Sequence, residues 1–400
     1  MLDYAPTTRS EAGFRAAHAV DLRLIARRLD WTLLLAVVVL VAYGLWVLDG
    51  ITRDDVTGDP TYYVVRQAVY AGIGGIGFLV AVFVDPDFYR RGRKLLYAAM
   101  IGMLLLVVVA GVEVRGSTRW LELGGFRFQP SEFGKLLLVL FLAGFLADRG
   151  RRVWDARTTL AAVGLAAPPT LLVFLQPDVG SALVYGAVLG AVLFVAGTRW
   201  LSLAWLLAAL VCVAIFVLWG GPAAGIDVLK PYQVERLTSF SNPSDSPDDA
   251  TYNVNQSRIA VGSGGVTGRG PSGASQTNFD FLPEHATDFV FASLAEQRGF
   301  VGASILLALY LLVIWRALSI ITVARDAFSA IVAGGIAVML LFQIAVNVGM
   351  TVGMAPVTGI PLPFVSVGGS SLIANLVAIG ILQAIHIRGR ATALPVRIRP

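Results

Sequence analysis

The side chains of this 400-residue chain best placed for acid–base or anion chemistry include several in three short stretches. In FDFLPEHATDFVFASLAEQRG, Glu284 and Asp288 sit four residues apart, just before a long apolar run. On a helix that spacing puts both carboxylates on one face. Such acids can take a proton from a nucleophile; they can equally cap a helix and face its positive end. In QPSEFGK, Glu132 and Lys135 lie three apart where another apolar run begins. Charges entering such a run are costly and mark either a pathway or an internal salt bridge. Ser131 suits a cap for the helix that Glu132 begins, and Asp178 in LQPDVGS has the same double reading of cap or site. Arg115, Arg119, Arg127, Lys230, Arg236, Arg258 and Arg269 add positive charge in polar stretches. Arginine forks grip phosphate oxygens in pairs, and plain contacts with lipid headgroups would use them too. Trp120, beside Arg119, suits a sugar face or an interfacial anchor.

The elements that position these groups must be membrane helices. The chain is 56% hydrophobic and only 14% charged, with a mean hydropathy of +0.73. A soluble protein of that composition could not cover its surface, so lipid is the solvent for most side chains. The sequence therefore predicts an all-α integral membrane protein of about ten transmembrane helices. The apolar runs lie near 31–48, 63–84, 95–113, 132–147, 158–175, 180–197, 201–219, 298–318, 327–346 and 369–386, the eighth beginning as early as Asp288. Residues 1–29 form a polar tail without a cleavable signal, whose last part, AVDLRLIARRLD, suits an interfacial helix. Residues 389–400 form a second tail, and 30–388 the membrane domain between them. If both tails face the cytoplasm, 20 of the 31 Lys and Arg fall inside. The positive-inside rule thus orients the chain, with anionic membrane lipids as natural contacts for its net +5 charge.

Three outside segments stand apart: 114–131, a long Pro-, Gly- and Ser-rich loop at 221–297, and 349–371. In the last, Pro356, Pro361 and Pro363 with several glycines forbid a regular helix. Irregular apolar backbone at membrane depth must pack on protein or line a cavity, so a re-entrant segment is expected before the last span. GRGPSG and VGSGGVTGRG follow no strand and lack the Lys-Ser/Thr ending of a phosphate loop, so neither is expected to bind nucleotide. The basic residues follow topology rather than forming a stripe, which argues against nucleic acid. Cys212 stands alone and His18, His285 and His386 are scattered, so no metal cluster of cysteine and histidine is expected.

Taken together, GSTRWLELGGFRFQPSEFGK (116–135), LQPDVGSA (175–182), YQ…RLTSFSNP…QSRIAVGSGG (232–265), FLPEHATDFVFASLAE (281–296) and PVTGIPLPFVSVGGSS (356–371) resemble the SEDS family of polytopic glycosyltransferases. That family polymerises lipid II into peptidoglycan. Through GMTVGMAPVTGIPLPF the chain looks more like the elongation branch, RodA, than the division branch, FtsW. It departs from the family with Val367 where Tyr is usual, with Ala286 between His285 and Thr287, and with AEQRG in place of an acidic pair. The resemblance implies that Asp288 is the catalytic carboxylate, a general base for an inverting transfer that releases undecaprenyl pyrophosphate. Arg119 and Arg236 are the candidates for pyrophosphate contacts; Glu132 with Lys135 would shape the floor beneath Asp288, and Trp120, Gln129 and Glu284 would complete the substrate site. The resemblance implies no organic cofactor, allows a divalent cation (Mg²⁺ or Mn²⁺) on the leaving group, and implies a class B penicillin-binding protein as partner and the bacterial cell membrane as location. A lipid II flippase is the competing function, and ionisable groups near the bilayer midplane would mark it.

Overall fold

Apolar runs of this length become helices because nothing in lipid replaces the backbone's own hydrogen bonds. The structure, a computed structural model, describes residues 22–114, 117–124, 126–225, 229, 233–234 and 249–393. After a short helix α1 (Leu22–Arg28), the chain forms α2 (Trp31–Ile51), α3 (Tyr62–Phe83), the short α4 (Pro86–Arg91) and α5 (Arg93–Ala110). A hairpin-built sheet follows, with β1 (Val112–Val114), β2 (Ser117–Leu123) and β3 (Phe126–Phe128) antiparallel in that order. Then come α6 (Pro130–Ala147), α7 (Ala156–Leu175), α8 (Val179–Val195) and α9 (Trp200–Ile215), the last prolonged by a π-helical turn to Gly220. After the long loop with its own helix α10 (Asp249–Ser263), α11 (Val290–Val323), α12 (Ala327–Thr351) and α13 (Gly369–Ala393) complete the bundle. Among the described residues, nine helices are long and apolar enough to cross a membrane, and α8, at 17 residues, is a shorter tenth.

The interior belongs to α6, α12 and α13, with α13 packed along α3, α12 on α8 and α11, and α11 on α2. Large apolar side chains such as Ile76, Leu79, Val109, Leu171 and Phe194 stay exposed on the outer faces, as lipid contact requires. No residue of α9 is buried, and its Cys212 is exposed.

Cross-links sort the loops into two ends. At one end Arg316 binds Asp30 (2.6 Å), Arg325 binds Asp87 (2.7 Å), Arg90 binds Asp148 (2.7 Å) and Arg388 binds Asp85 (3.2 Å). At the other, Gln297 Nε2 donates to the Gly50 carbonyl (2.8 Å), Gln67 Nε2 to that of Ser366 (2.9 Å), and His285 meets Asp55 (3.1 Å). The chain therefore alternates ends ten times. Both described ends of the chain lie with the arginine pairs, here called the termini end; the opposite face is the loop end.

Several expectations shift. The segment 114–131, read as an external loop, folds into most of the sheet. The eighth span begins at Val290, within the expected early start near Asp288, and breaks at Gly299, whose φ of 65° and ψ of −166° are not helical, so that its long apolar part begins close to the expected 298. The glycine-rich string 262–270 explains that break. Phe300 N–H donates to the Gly265 carbonyl (2.9 Å) and Val301 N–H to that of Val266 (3.1 Å), while Arg269 and Gly270 donate back to Glu296 and Gln297. Backbone lies on backbone here: a Cβ on Gly268, itself at φ +85°, would stand 2.2 Å from the Gln297 carbonyl oxygen. The last helix runs to Ala393, past the expected boundary at 389, and the tail beyond it lies outside the described residues. Of the expected interfacial helix in the first tail, Leu22–Arg28 is described and helical.

Candidate active site

Asp288 is the next-to-last residue of a run of turns at the loop end that leads into α11. The condition for Glu284 and Asp288 to share a helical face is not met, since residues 283–289 are turns and Glu284 has a φ of 56°. Nor does either carboxylate cap α11, whose N-cap is Phe289 without a side-chain bond. The loop is instead held from outside. Three successive carbonyls, of Ala286, Thr287 and Asp288, accept hydrogen bonds from Val367 N–H (3.0 Å), Ser366 Oγ (2.5 Å) and Asn347 Nδ2 (2.9 Å). With every carbonyl engaged, the backbone cannot re-aim the half-buried Asp288 side chain without leaving polar groups unpaired.

The partner of this loop is the irregular segment 352–368, and it packs on protein as lipid depth demands. Its residues Ile360, Leu362, Phe364 and Val365 are buried, and Tyr310 of α11 donates to the Pro363 carbonyl. Ser366 is its hub. The hydroxyl receives Leu362 N–H (2.8 Å) while donating to Thr287, and the Ser366 carbonyl receives Gln67 of α3. Gln67 also accepts Gly368 N–H (3.3 Å). Asn347 of α12 bridges both segments by donating to Ile360 (2.8 Å) as well as to Asp288.

Below this platform lies the second charged stretch. Lys135 Nζ stands 2.6 Å from Glu132 Oε1 and 3.1 Å from Gln343 Oε1, with both charged side chains only 2% exposed. Gln343 precedes Asn347 by one turn of α12, so about 6 Å of helix links the ion pair to the carbonyl of Asp288. A third cluster centres on Asp178, which caps α8 through Ser181 N–H (3.0 Å) and pairs with Arg119 (3.6 Å). Gln129 Nε2 reaches Asp178 (3.3 Å) and Ser131 Oγ (3.2 Å), and Gln129 N–H donates to Ser370 of α13 (2.9 Å). Ser131 does not cap α6; Gln129 is its N-cap and Pro130 its first residue. Arg119 also lies 5.8 Å from the ring of Trp120.

Asn347 ties Asp288, and Ser370 ties Gln129, to the stretch 360–370; Arg119 meets Gln129 at Asp178, and Glu132 with Lys135 meets the helix of Asn347 at Gln343. Glu284 stays close to home, its Oε2 accepting the Thr287 hydroxyl (2.7 Å). Arg236, with Arg115 and Lys230, lies outside the described residues. Arg258, Arg269 and Arg127 are exposed at the loop end. Among the described residues no three His, Cys, Asp or Glu side chains group as ligands for a metal ion.

Sequence reasoning missed Gln67, Gln343, Asn347, Ser366 and Asp55. The first three had a signal, being amides inside apolar helices, where a polar group needs a partner. Asp55 is the partner of His285, at 3.1 Å. Burial pushes the His285 imidazole pKa down, but the hydrogen bond and charge of Asp55, with Asp280 behind it, outweigh burial and raise it.

A polytopic membrane protein with a carboxylate on a pinned loop at the membrane edge, above a sealed ion pair, is the class that fold and site define. The sequence profile of the FtsW/RodA/SpoVE group, described as a cell cycle protein, matches residues 27–391, and the chain belongs to that family. The stage V sporulation protein E of Bacillus subtilis is 36% identical over 359 residues, covering 88% of this chain and 95% of its own. The peptidoglycan glycosyltransferase MrdB of Escherichia coli K12 is 37% identical, covering 90% of this chain and 93% of its own. A probable peptidoglycan glycosyltransferase FtsW of Thioalkalivibrio sulfidiphilus is 36% identical over 96% and 95%. Among solved structures, the rod shape determining protein RodA of Thermus thermophilus matches with a TM-score of 0.67 at 31% identity, over 92% of this chain and 98% of its own. A chain of a peptidoglycan synthase complex, described as coordinating polymerization and crosslinking, matches with a TM-score of 0.76 at 33% identity, over 90% and 98%.

Proposed function

We infer that this protein is a peptidoglycan glycosyltransferase that polymerises lipid II, with Asp288 as the general base. The observation that carries this reading is the loop 286–288, pinned carbonyl by carbonyl while its one acid stays partly open. A sugar hydroxyl is a poor nucleophile at neutral pH, so a fixed carboxylate must take its proton as the new bond forms. The donor is an α-linked lipid diphosphate and the product is β-linked, so a single inverting attack suffices. The leaving diphosphate needs no proton, only positive charge. Arg119 and Arg236 are the residues proposed to supply it, and Trp120, Gln129 and Glu284 to bind the sugars. Glu132 and Lys135 hold the floor through Gln343. A divalent cation, Mg²⁺ or Mn²⁺, would be shared with the substrate's own phosphate oxygens, as the described side chains offer no ready-made set of ligands.

The loop end faces outward and both termini lie in the cytoplasm of a bacterial cell, with a class B penicillin-binding protein as the crosslinking partner. The charge distribution supports the first and the synthase-complex relative supports the second. Elongation is the proposed role, on the strength of GMTVGMAPVTGIPLPF; rescue of rod shape in an elongation-depleted strain, and not of division, is its test.

Asp288→Asn tests the chemistry. With lipid II, the partner and a Mn²⁺ titration, polymerisation should fall by about 10²–10⁴ while the melting temperature and membrane insertion hold. Normal glycan chains from that variant would remove Asp288 from the reaction. Scrambling of lipid II in liposomes that persists in the same variant would favour transport instead.

A further inference from the structure

A cavity of about 360 Å³ opens at the termini end, across the membrane from Asp288, lined by Arg93, Phe145, Asp148, Arg149 and Arg152. It sits where the first turn of α5 meets the last turn of α6 and the 3₁₀ turn Gly150–Trp154. Its charge does not balance. Asp148 is the lone acid of the lining and is already shared by Arg93 (2.5 Å) and by Arg90 (2.7 Å) from behind. Nearby Asp87 and Asp326 are both bound to Arg325. Among the described residues Arg149 and Arg152 have no carboxylate within ion-pair distance; Arg149 lies over the Phe145 ring at 3.8 Å.

We propose that this pocket binds a phosphate group, either that of an anionic phospholipid headgroup or a soluble phosphate. Two guanidinium forks without a carboxylate partner, beside a third held in place by Asp148, present paired N–H donors to tetrahedral oxygens. The height is that of headgroups. Trp154 is 53% exposed on one side, and Leu95 and Leu160 at the membrane-entering turns of α5 and α7 are 74% and 70% exposed, ready to meet acyl chains. This assignment is independent of the glycosyltransferase reading and concerns the opposite end of the bundle.

The test is native mass spectrometry of the detergent-purified full chain titrated with phosphatidylglycerol, and separately with inorganic phosphate. The double variant Arg149→Gln/Arg152→Gln should bind the probe about tenfold more weakly, while Arg151→Gln, outside the lining, should match wild type. Because Arg93 is kept, the Asp148 pair survives, and an unchanged melting temperature checks the fold. Arg149→Lys/Arg152→Lys, which keeps charge but loses the forks, should fall between the two. Loss confined to the phosphatidylglycerol arm identifies a lipid headgroup; loss confined to the inorganic phosphate arm identifies a soluble ligand. Equal binding by the double glutamine variant and wild type in both arms, or an equal drop with Arg151→Gln, overturns the proposal.

Discussion

At the loop end, what holds Asp288 is neutral: amide and hydroxyl groups of Asn347, Ser366 and Gln67 meeting backbone carbonyls and N–H groups. At the termini end, what holds the helices is charged: Arg90, Arg316, Arg325 and Arg388 meeting aspartates of other elements. Neutral bonds to backbone are short-ranged and directional, so they fix a conformation residue by residue. Exposed ion pairs tolerate a range of side-chain geometries and are screened by salt, so they join helices loosely. The end proposed to do chemistry is thus built for position, and the other for attachment and orientation. The chief exception is the buried Glu132–Lys135 pair, sealed under the positional end; at the termini end the Asp30–Arg316 pair, with the Asp30 side chain 2% exposed, is shielded as well.

Substitutions should separate these classes of contact, beginning with the exception. Lys135→Met leaves the Glu132 carboxylate buried without a partner and should cost about 3–5 kcal/mol, read as a lower melting temperature. Adding Glu132→Gln should recover most of that loss; a double variant as unstable as the single would show that the pair is not coupled. Ser366→Ala deprives both Thr287 and Leu362 of a partner. A cost of about 1–3 kcal/mol is expected, with a fall in turnover of folded protein that Arg90→Gln, at an exposed pair, does not share. If both variants lose turnover equally, the contrast between the ends fails.

The Asp55–His285 contact is a charged one among the neutral bonds, and pH probes it. Its imidazole pKa is raised in the folded protein, so the stabilisation is complete below the unfolded value of about 6.5 and is lost as pH rises through the folded value. The melting-temperature difference between wild type and Asp55→Asn, on the order of 1 kcal/mol at about pH 6, should shrink towards about pH 9. A gap that widens instead would reverse the sign. The smallest effect belongs to Arg325→Gln at the termini end, under about 1 kcal/mol and vanishing in high salt.

Much of this was legible from residue order. Ten apolar runs locate ten helices because span length and lipid leave no other solution, and each acid that matters stands beside a recognisable string. Asp178 read as either a cap or a site, and it caps α8. Glu284 and Asp288 misled, since spacing of four suggests a helix face only where the backbone is helical, and Glu284 occupies the left-handed region instead. The small sheet escaped notice because β1 and β3 are three residues each, too short for alternation to show. The glycine string gave no clue to its use, because close approach of two backbones is invisible until the second one, at Gly299, is placed.

By itself, the order of residues determined the membrane as solvent, the crossing number and the family, since these follow from composition, run length and short local strings. Tertiary structure alone decided that Ser366, Asn347 and Gln67 hold the Asp288 loop, that Gln343 closes over Lys135, and that Asp55 meets His285. Those partners lie 13 to 301 residues apart wherever the bonds join different segments, from Asn347–Ile360 to Gln67–Gly368. Local propensity carries no information across such distances. Only the packing of helices brings an amide to the one carbonyl that needs it.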